Sequence, residues 1–279
     1  MTGEKVRFTG ERETLLITLR GRALQSRRVE PILRDEWAEA AVDRLDYDFA
    51  KLKVSESDSL TIAVRAREFD MLAVRFIADH PRATVLHLGC GLDSRALRVE
   101  PPESVCWFDV DYPDVIELRR RLFPLRPGCR MIGTSLADVD WTRDLPADQP
   151  VLVVAEGVTM YLTEHIVKSL LQAVVEHFPG GEVAFDAHSR RLVGFTTRAR
   201  ADIGGTGASF GWGIDDPREI TTLVPGLELI LQTANTELDG YPMLPAGVRA
   251  RVRLMNLVPS LRSLNRVLRY GFRRTVAAA

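Results

Sequence analysis

From residue 83 onward, short apolar runs alternate with stretches of helical periodicity, and this alternation constrains the fold more than any other feature of the chain. Continuous apolar runs of this kind are typical of strands buried on both faces of a parallel sheet. The helical stretches between them supply the crossovers that parallel strands require. The predicted strands are 84–88, 104–110, 130–133, 151–155, 182–186, 227–233 and an edge strand at 266–272. The sequence therefore predicts an α/β fold with a mostly parallel, seven-stranded sheet.

The region before this alternation has a different pattern. Between residues 11 and 80, apolar residues such as Leu15, Leu19, Leu72 and Phe76 recur at helical spacing among charged residues, and no strand pattern interrupts them. We therefore expect an N-terminal helical cap over residues 1–80 and an α/β core over residues 81–279.

Composition narrows the classes of partner. Lysine and arginine number 37 against 38 acidic residues, so no overall field favours nucleic acid or an anionic membrane. Apolar runs such as 151–155 are far too short to span a bilayer, and the amino terminus has no signal-peptide core. Cys90, Cys106 and Cys129 form no CxxC pair, and the five histidines are scattered. We expect a cytoplasmic protein without a metal site, acting on a small molecule or peptide.

The stretch VLHLGCGLDSR is an apolar strand that enters a GxG turn and then a helix. Glycines such as Gly89 and Gly91 let the backbone pass close to a ligand at the carboxyl end of a strand. Asp109 and Asp111 follow at the end of the next strand, where a carboxylate can accept hydrogen bonds from both ribose hydroxyls. A dinucleotide fingerprint would have a third glycine where Ser94 stands, so this site favours a nucleoside without a pyrophosphate.

Four motifs in this order resemble the leucine carboxyl methyltransferase family. They are REFD from residue 67, LHLGCGLDSRALR from residue 86, FDVDYPDVIELRR from residue 108 and AEGVTMYL from residue 155. Within the family, the chain is similar to the bacterial branch of polyketide carboxyl methyltransferases of the tetracenomycin type, over most of its length. The resemblance implies a Rossmann-like class I methyltransferase with S-adenosylmethionine as cofactor.

The resemblance also implies roles for individual residues. Arg67 matches the family arginine that holds the methionine carboxylate of the cofactor, as a guanidinium fork suits a bidentate contact. Asp111 matches the acid that binds the ribose, and its neighbour Asp109 remains an alternative. The other matched positions are Gly89 and Gly91 in the first loop, Glu156 near the amino acid end, and Tyr161 facing the acceptor. Ser135 and Leu136 fall beside the adenine, where relatives often have Asp-Leu, so the sequence departs from the family pattern at Ser135. Read without the resemblance, the two aspartates could cap a turn and Arg67 could be a solvated helix residue.

The sequence allows either a carboxylate or a phenol as the oxygen nucleophile of the acceptor. A carboxylate with a pKa near 4 is already anionic at neutral pH and needs only a clamp. We expect Tyr161 and an amino-terminal arginine, Arg22 rather than Arg20, to provide it, which would give a methyl ester on a small molecule or a peptide carboxyl terminus. A phenol with a pKa near 10 would need a base, for which His188 is the candidate. A noncatalytic module that only binds the cofactor is a third possibility.

Overall fold

A seven-stranded sheet forms the centre of this computed structural model, which describes residues 3–6, 8–198, 203 and 205–274. Its strands are β1 (Thr84–Leu88), β2 (Cys106–Asp111), β3 (Cys129–Gly133), β4 (Val151–Ala155), β5 (Gly180–His188), β6 (Glu228–Thr233) and β7 (Asn265–Arg273). Neighbouring strands run parallel, except that β7 is antiparallel to both β5 and β6. The predicted α/β class with a mostly parallel sheet of this size is confirmed.

The strand order β3-β2-β1-β4-β5-β7-β6 creates a reversal in the middle of the sheet. The chain moves outward from β1 to β3, and then returns to place β4 on the other side of β1. The crossover connections therefore diverge between β1 and β4. In open α/β sheets, ligands bind above the carboxyl ends of the strands at such a switch point.

Helices cover the sheet and extend beyond it. They are α1 (Thr14–Ser26), α2 (Glu36–Arg44), α3 (Glu56–Asp79), α4 (Arg95–Val99), α5 (Pro113–Leu122), α6 (Glu164–His177), α7 (Arg190–Arg198), α8 (Glu219–Leu223), α9 (Ala246–Asn256) and α10 (Pro259–Arg262). The long helix α3 begins with a capping box between Ser55 and Asp58. Its apolar face, including Phe69 and Phe76, belongs to the same buried cluster as Trp107 of the sheet. This packing fixes α3 beside the switch point.

Two local features differ from the sequence prediction. Glu4–Lys5 pairs with Leu45–Asp46 in a short parallel ladder, although no strand was predicted there. Two residues on each side are too few to produce a recognisable alternation. Strand β5 is longer than predicted and begins at Gly180. Its second residue must be glycine, because a Cβ at Gly181 would lie 1.9 Å from the carbonyl oxygen of Val151. Among the described residues, no helix is both long enough and apolar enough to span a membrane.

Candidate active site

A cavity of about 610 Å³ lies above the carboxyl ends of β1 to β5, which is a volume typical of small-molecule sites. The residues that follow these strands form its floor, and α1 contributes Thr14, Leu15 and Thr18 to its wall. Seven of the sequence-predicted cofactor and acceptor residues line it, namely Gly89, Gly91, Asp111, Ser135, Leu136, Glu156 and Tyr161. The predicted acceptor residue Arg22 lines it as well, whereas Arg67 and Asp109 do not.

The glycine turn after β1 requires glycine at two positions. Gly89 has a φ of +57° and Gly91 a φ of +48°, in the left-handed region that other residues adopt at a cost. A Cβ on Gly89 would lie 2.3 Å from Cγ2 of Val158. The turn therefore holds the backbone of β1 against the cavity where a ligand can approach it closely.

Asp111 projects from the last position of β2 into the cavity. One carboxylate oxygen accepts a hydrogen bond from the Gly91 backbone N–H at 2.7 Å, and the other accepts from the Tyr112 backbone N–H at 2.7 Å. Burial raises the pKa of Asp111, and these two hydrogen bonds oppose that rise. Each oxygen retains a further lone pair, so the carboxylate can accept from a pair of ribose hydroxyls.

Asp109, the predicted alternative to Asp111, does not line the cavity and is engaged with other residues of the protein. Its carboxylate is buried against Arg119, with Nη2 at 2.6 Å, and it contacts His87 Nδ1 and Trp107 Nε1 at 3.0 Å each. Burial alone would raise its pKa, but Arg119 and the hydrogen bonds from His87 and Trp107 outweigh burial and lower the pKa to about 2. An acid with these partners has no free oxygen for a ribose. Asp109 instead stabilises the base of the cavity.

Glu156 follows β4 and is held by two arginines. Its carboxylate, with 5% side-chain exposure, accepts from Arg65 Nε at 2.9 Å and from Arg95 Nη2. Arg95 is fully buried and also pairs with Asp70 at 2.8 Å and Asp93 at 3.0 Å. Glu156 is therefore fixed with its oxygens at the cavity surface before any ligand is present.

Arg65, and not Arg67, is the arginine of α3 that reaches the cavity. It donates from Nε to Glu156 and from Nη1 to Asp186, each at 2.9 Å. Its Nη2 has no hydrogen-bond partner among the described residues, and a Cβ on Gly157 would lie 3.3 Å from it. Arg67 is two residues further along the helix, so it is rotated by about 200° and faces away from the cavity. The structure therefore does not place Arg67 with the other predicted site residues, and its contact with the cofactor stays a prediction.

Arg22 contributes to the cavity wall, but its guanidinium is already engaged. With 2% exposure, it donates from Nε to Asp35 at 3.1 Å and from Nη2 to the Leu92 carbonyl at 2.8 Å. Moving this guanidinium toward a ligand would leave Asp35 buried without this partner. The structure thus places Arg22 at the cavity wall beneath the glycine turn, and its contact with the acceptor stays a prediction.

The far end of the cavity carries an aromatic wall formed by Tyr161, Phe210 and His188. The ring of Phe210 lies 5.6 Å from that of Tyr161 and 4.7 Å from that of His188, centroid to centroid. Burial is the main cause that raises the pKa of Tyr161, so its phenol is protonated at neutral pH and can donate a hydrogen bond. This wall can therefore hold a flat, apolar group and direct one polar atom of it toward Tyr161.

Sequence reasoning missed the charged residues that position the predicted ones. Arg65, Arg95, Arg98 and Asp186 are all half-buried or buried, and each bonds to a residue far away in the chain. The only sequence signal for these ion pairs was the presence of Arg95 and Arg98 within the LDSRALR motif, and the motif does not identify their partners. Among the described residues, no group of three or more potential ligands could hold a metal ion.

Known proteins are similar to this chain in both sequence and fold. The family model described as leucine carboxyl methyltransferase matches residues 16–175. The tetracenomycin polyketide synthesis O-methyltransferase TcmP of Streptomyces glaucescens is 45% identical, covering 97% of this chain and 100% of that protein. An S-adenosyl-L-methionine-dependent methyltransferase of Gibberella zeae, dpfgK, is 39% identical over 80% of this chain and 82% of its own.

Among solved structures, a Thermobifida fusca protein with a methyltransferase designation superposes with a TM-score of 0.56 at 18% identity, covering 91% of this chain and 94% of that one. This likeness shows the same fold. The sequence matches, together with a cavity at the switch point that is lined by the motif residues, identify the cofactor as S-adenosylmethionine. The chain belongs to the leucine carboxyl methyltransferase family and is an S-adenosylmethionine-dependent O-methyltransferase.

Proposed function

We propose that this enzyme forms a methyl ester on a carboxylate of a natural-product-like small molecule. The observation that carries the proposal is the family match over residues 16–175, since the family is described by carboxyl methylation. The relative TcmP, described as acting in polyketide synthesis, aligns over nearly the whole chain and favours a polyketide-like acceptor over a peptide.

The cavity supports one orientation of the cofactor. Ser135 and Leu136 would contact the adenine, and Asp111 would accept from the ribose hydroxyls. At the amino acid end, Glu156 would accept from the ammonium and the free Nη2 of Arg65 would donate to the carboxylate. The methyl group would then point toward Tyr161, where the aromatic wall begins. Each of these residues lines the cavity.

The acceptor carboxylate requires a cation that is not already in an ion pair. The described cations that line the cavity are Arg12, Arg22, Lys53 and Arg65. All except Lys53 lie within 4.0 Å of a carboxylate of the chain. Lys53 is exposed and flexible, so it can pair with an incoming anion without breaking an existing ion pair. Lys53 and the protonated Tyr161 would together clamp the carboxylate.

The reaction is an in-line displacement that needs alignment more than proton transfer. A carboxylate oxygen attacks the methyl carbon while the bond from carbon to sulfur breaks and its electron pair stays on sulfur, which loses its positive charge. Since the nucleophile is already anionic, no base is required. Alignment of this kind can lower the barrier by roughly 7–11 kcal/mol.

We propose that residues 1–80 act as a cap that excludes water from the cavity. An ion pair between Arg12 and Asp114 at 2.8 Å joins the turn before α1 to the core and supports this role.

The test is a screen of carboxylic acids with S-adenosylmethionine, read by mass spectrometry as the gain of one methylene. A methyl ester is hydrolysed by mild alkali, whereas an aryl methyl ether survives it. We expect alkali-labile products that Asp111→Asn abolishes and that Asp148→Asn, an exposed control, leaves unchanged. Alkali-stable products from hydroxylated acceptors would instead establish hydroxyl methylation.

A further inference from the structure

Asp35 is a fully buried carboxylate that joins the N-terminal helices to the segment after the glycine turn. It caps α2, where one of its oxygens accepts from the Ala38 backbone N–H at 2.9 Å and from the Ser94 hydroxyl at 2.5 Å. The other oxygen accepts from Arg22 Nε at 3.1 Å and from Arg98 Nη1 at 2.8 Å. The side-chain exposure of Asp35 is 0%, and two hydrogen bonds to each oxygen fill its capacity as an acceptor.

Arg98 extends this connection into the cofactor site. Its Nη1 also donates to Asp93 at 2.7 Å, and Asp93 lines the cavity. Arg95 lies 3.0 Å from the same carboxylate and bonds to Glu156. A continuous path of ion pairs therefore runs from Asp35 to Glu156. Every side chain on this path is at most 9% exposed, so solvent and salt screen these ion pairs little.

Arg22 makes a second connection, which fixes α1 over the glycine turn. Its Nη2 donates to the carbonyl of Leu92 at 2.8 Å, directly after the turn. At the start of α1, the Cβ of Leu15 would lie 3.2 Å from a Cβ on Gly91, and Leu15 also lines the cavity. The position of α1 thus sets the space that a ligand finds above the glycine turn.

Helix capping accounts for only one of the four hydrogen bonds to Asp35. A side chain that caps a helix needs only the bond from a backbone N–H, here that of Ala38. The other three donors belong to Arg22 of α1, to Arg98 of α4 and to Ser94, directly before α4. Buried ion pairs of this kind often add no stability compared with apolar side chains of similar volume. They do fix the geometry between α1 and the residues that follow the glycine turn.

We propose that Asp35 is a positioning residue for the amino acid end of S-adenosylmethionine. It does not line the cavity, and it acts by holding Arg98 and Arg22, which keep Glu156 and α1 in place before the cofactor binds. Groups that are ordered in advance lose less conformational entropy when a ligand binds, so the ligand binds more tightly. The inference rests on the proposed orientation of the cofactor, with Glu156 at its amino acid end, and it is independent of the acceptor.

Calorimetry with S-adenosylhomocysteine and 5′-methylthioadenosine tests this role, because the second nucleoside lacks the amino acid end. Asp35→Asn keeps the size of the side chain but removes its charge. It should raise the Kd for S-adenosylhomocysteine at least about tenfold and change the Kd for 5′-methylthioadenosine less than about threefold. Asp48→Asn, at an exposed aspartate that caps the short helix Phe49–Lys51, is the matched control and should change neither Kd. A purely structural Asp35 would instead give Asp35→Asn a lower Tm with unaltered binding by the folded protein, which overturns the inference.

Ser94→Ala keeps the test decisive if Asp35→Asn does not fold. It removes one neutral hydroxyl that is buried outside the cavity, and it leaves every ion pair in place. We expect the same selective rise in the Kd for S-adenosylhomocysteine, about two- to tenfold. Equal weakening toward both nucleosides, or unaltered affinity in the variants that fold, overturns the inference. Glu156→Gln should also weaken S-adenosylhomocysteine selectively, and parent-like binding by Glu156→Gln would overturn the proposed orientation of the cofactor itself.

Discussion

Replacing Arg65 by lysine tests the reassignment of the carboxylate-binding arginine. Lysine keeps the positive charge between Glu156 and Asp186, whose side chains are only 5% and 1% exposed, so neither carboxylate is left without a cation. It cannot reproduce a guanidinium that donates from Nε, Nη1 and Nη2 in three fixed directions. The contact to the cofactor carboxylate is therefore the one that we expect to be lost.

The size of the effect follows from the type of contact. A hydrogen bond between charged groups contributes about 1.5–3 kcal/mol. Loss of the Nη2 contact in Arg65→Lys should therefore raise the Kd for S-adenosylhomocysteine roughly 10- to 150-fold. Arg67→Lys, at a residue of the same helix that does not line the cavity, should change that Kd less than about threefold.

Calorimetry with two nucleosides separates this contact from general damage to the fold. The analogue 5′-methylthioadenosine has the adenine and ribose but no amino acid end, so Arg65→Lys should bind it almost as tightly as the parent enzyme does. Equal weakening toward both nucleosides would mean that the substitution distorts the cavity as a whole. A large loss in Arg67→Lys with none in Arg65→Lys would refute the structural reasoning and restore the sequence assignment.

Three further changes address the turn, the acceptor end and the buried base of the cavity. Gly89→Ala should weaken cofactor binding and destabilise the fold by about 1–3 kcal/mol in thermal melts, because the added Cβ would clash at a positive φ. The control Gly194→Ala lies on α7 with open space around it, and should stabilise the protein by about 0.5–1 kcal/mol in the same measurement. Tyr161→Phe should lower kcat while leaving the Kd for S-adenosylhomocysteine unchanged, and an unaltered kcat would exclude its hydroxyl from the clamp. Asp109 has a folded-state pKa of about 2, below its unfolded value, so its contribution of about 2 kcal/mol is present above pH 4 and is lost as the pH falls toward 2. Urea unfolding between pH 4 and pH 2 should show this loss of stability, and the free energy of unfolding of Asp109→Asn should depend less on pH over the same range.

The strands of the sheet could be predicted from the sequence because the apolar run that marks a buried parallel strand is a local pattern. Strands β1 and β4 have the predicted bounds, and the others differ by a few residues at their ends. The short ladder between Glu4–Lys5 and Leu45–Asp46 could not be predicted, since its pairing joins segments forty residues apart with no apolar pattern. The need for glycine at residue 181 was not predictable either, since only the neighbouring strand shows why Gly181 must lack a Cβ.

The site was predictable where a residue directly follows a strand. Gly89, Asp111 and Glu156 reach the cavity because the carboxyl ends of parallel strands meet at one edge. On a helix, by contrast, two residues along the chain reverse the direction of the side chain, and a motif alone does not show whether Arg65 or Arg67 faces the ligand. The bond that decides this joins Arg65 to Glu156, ninety-one positions away.

The buried ion pairs beneath the glycine turn are better explained by ligand positioning than by stability. Replacing such a network with apolar residues often leaves a protein equally stable, because desolvation of the charges offsets their attraction. Here Arg95 joins Glu156 to Asp70 and Asp93, so a carboxylate that lines the cavity is attached to α3 and to the residues after β1. A ligand that finds Glu156 and Arg65 already ordered does not have to immobilise them on binding. Loss of a partner such as Asp70 should therefore weaken cofactor binding even though Asp70 itself does not line the cavity.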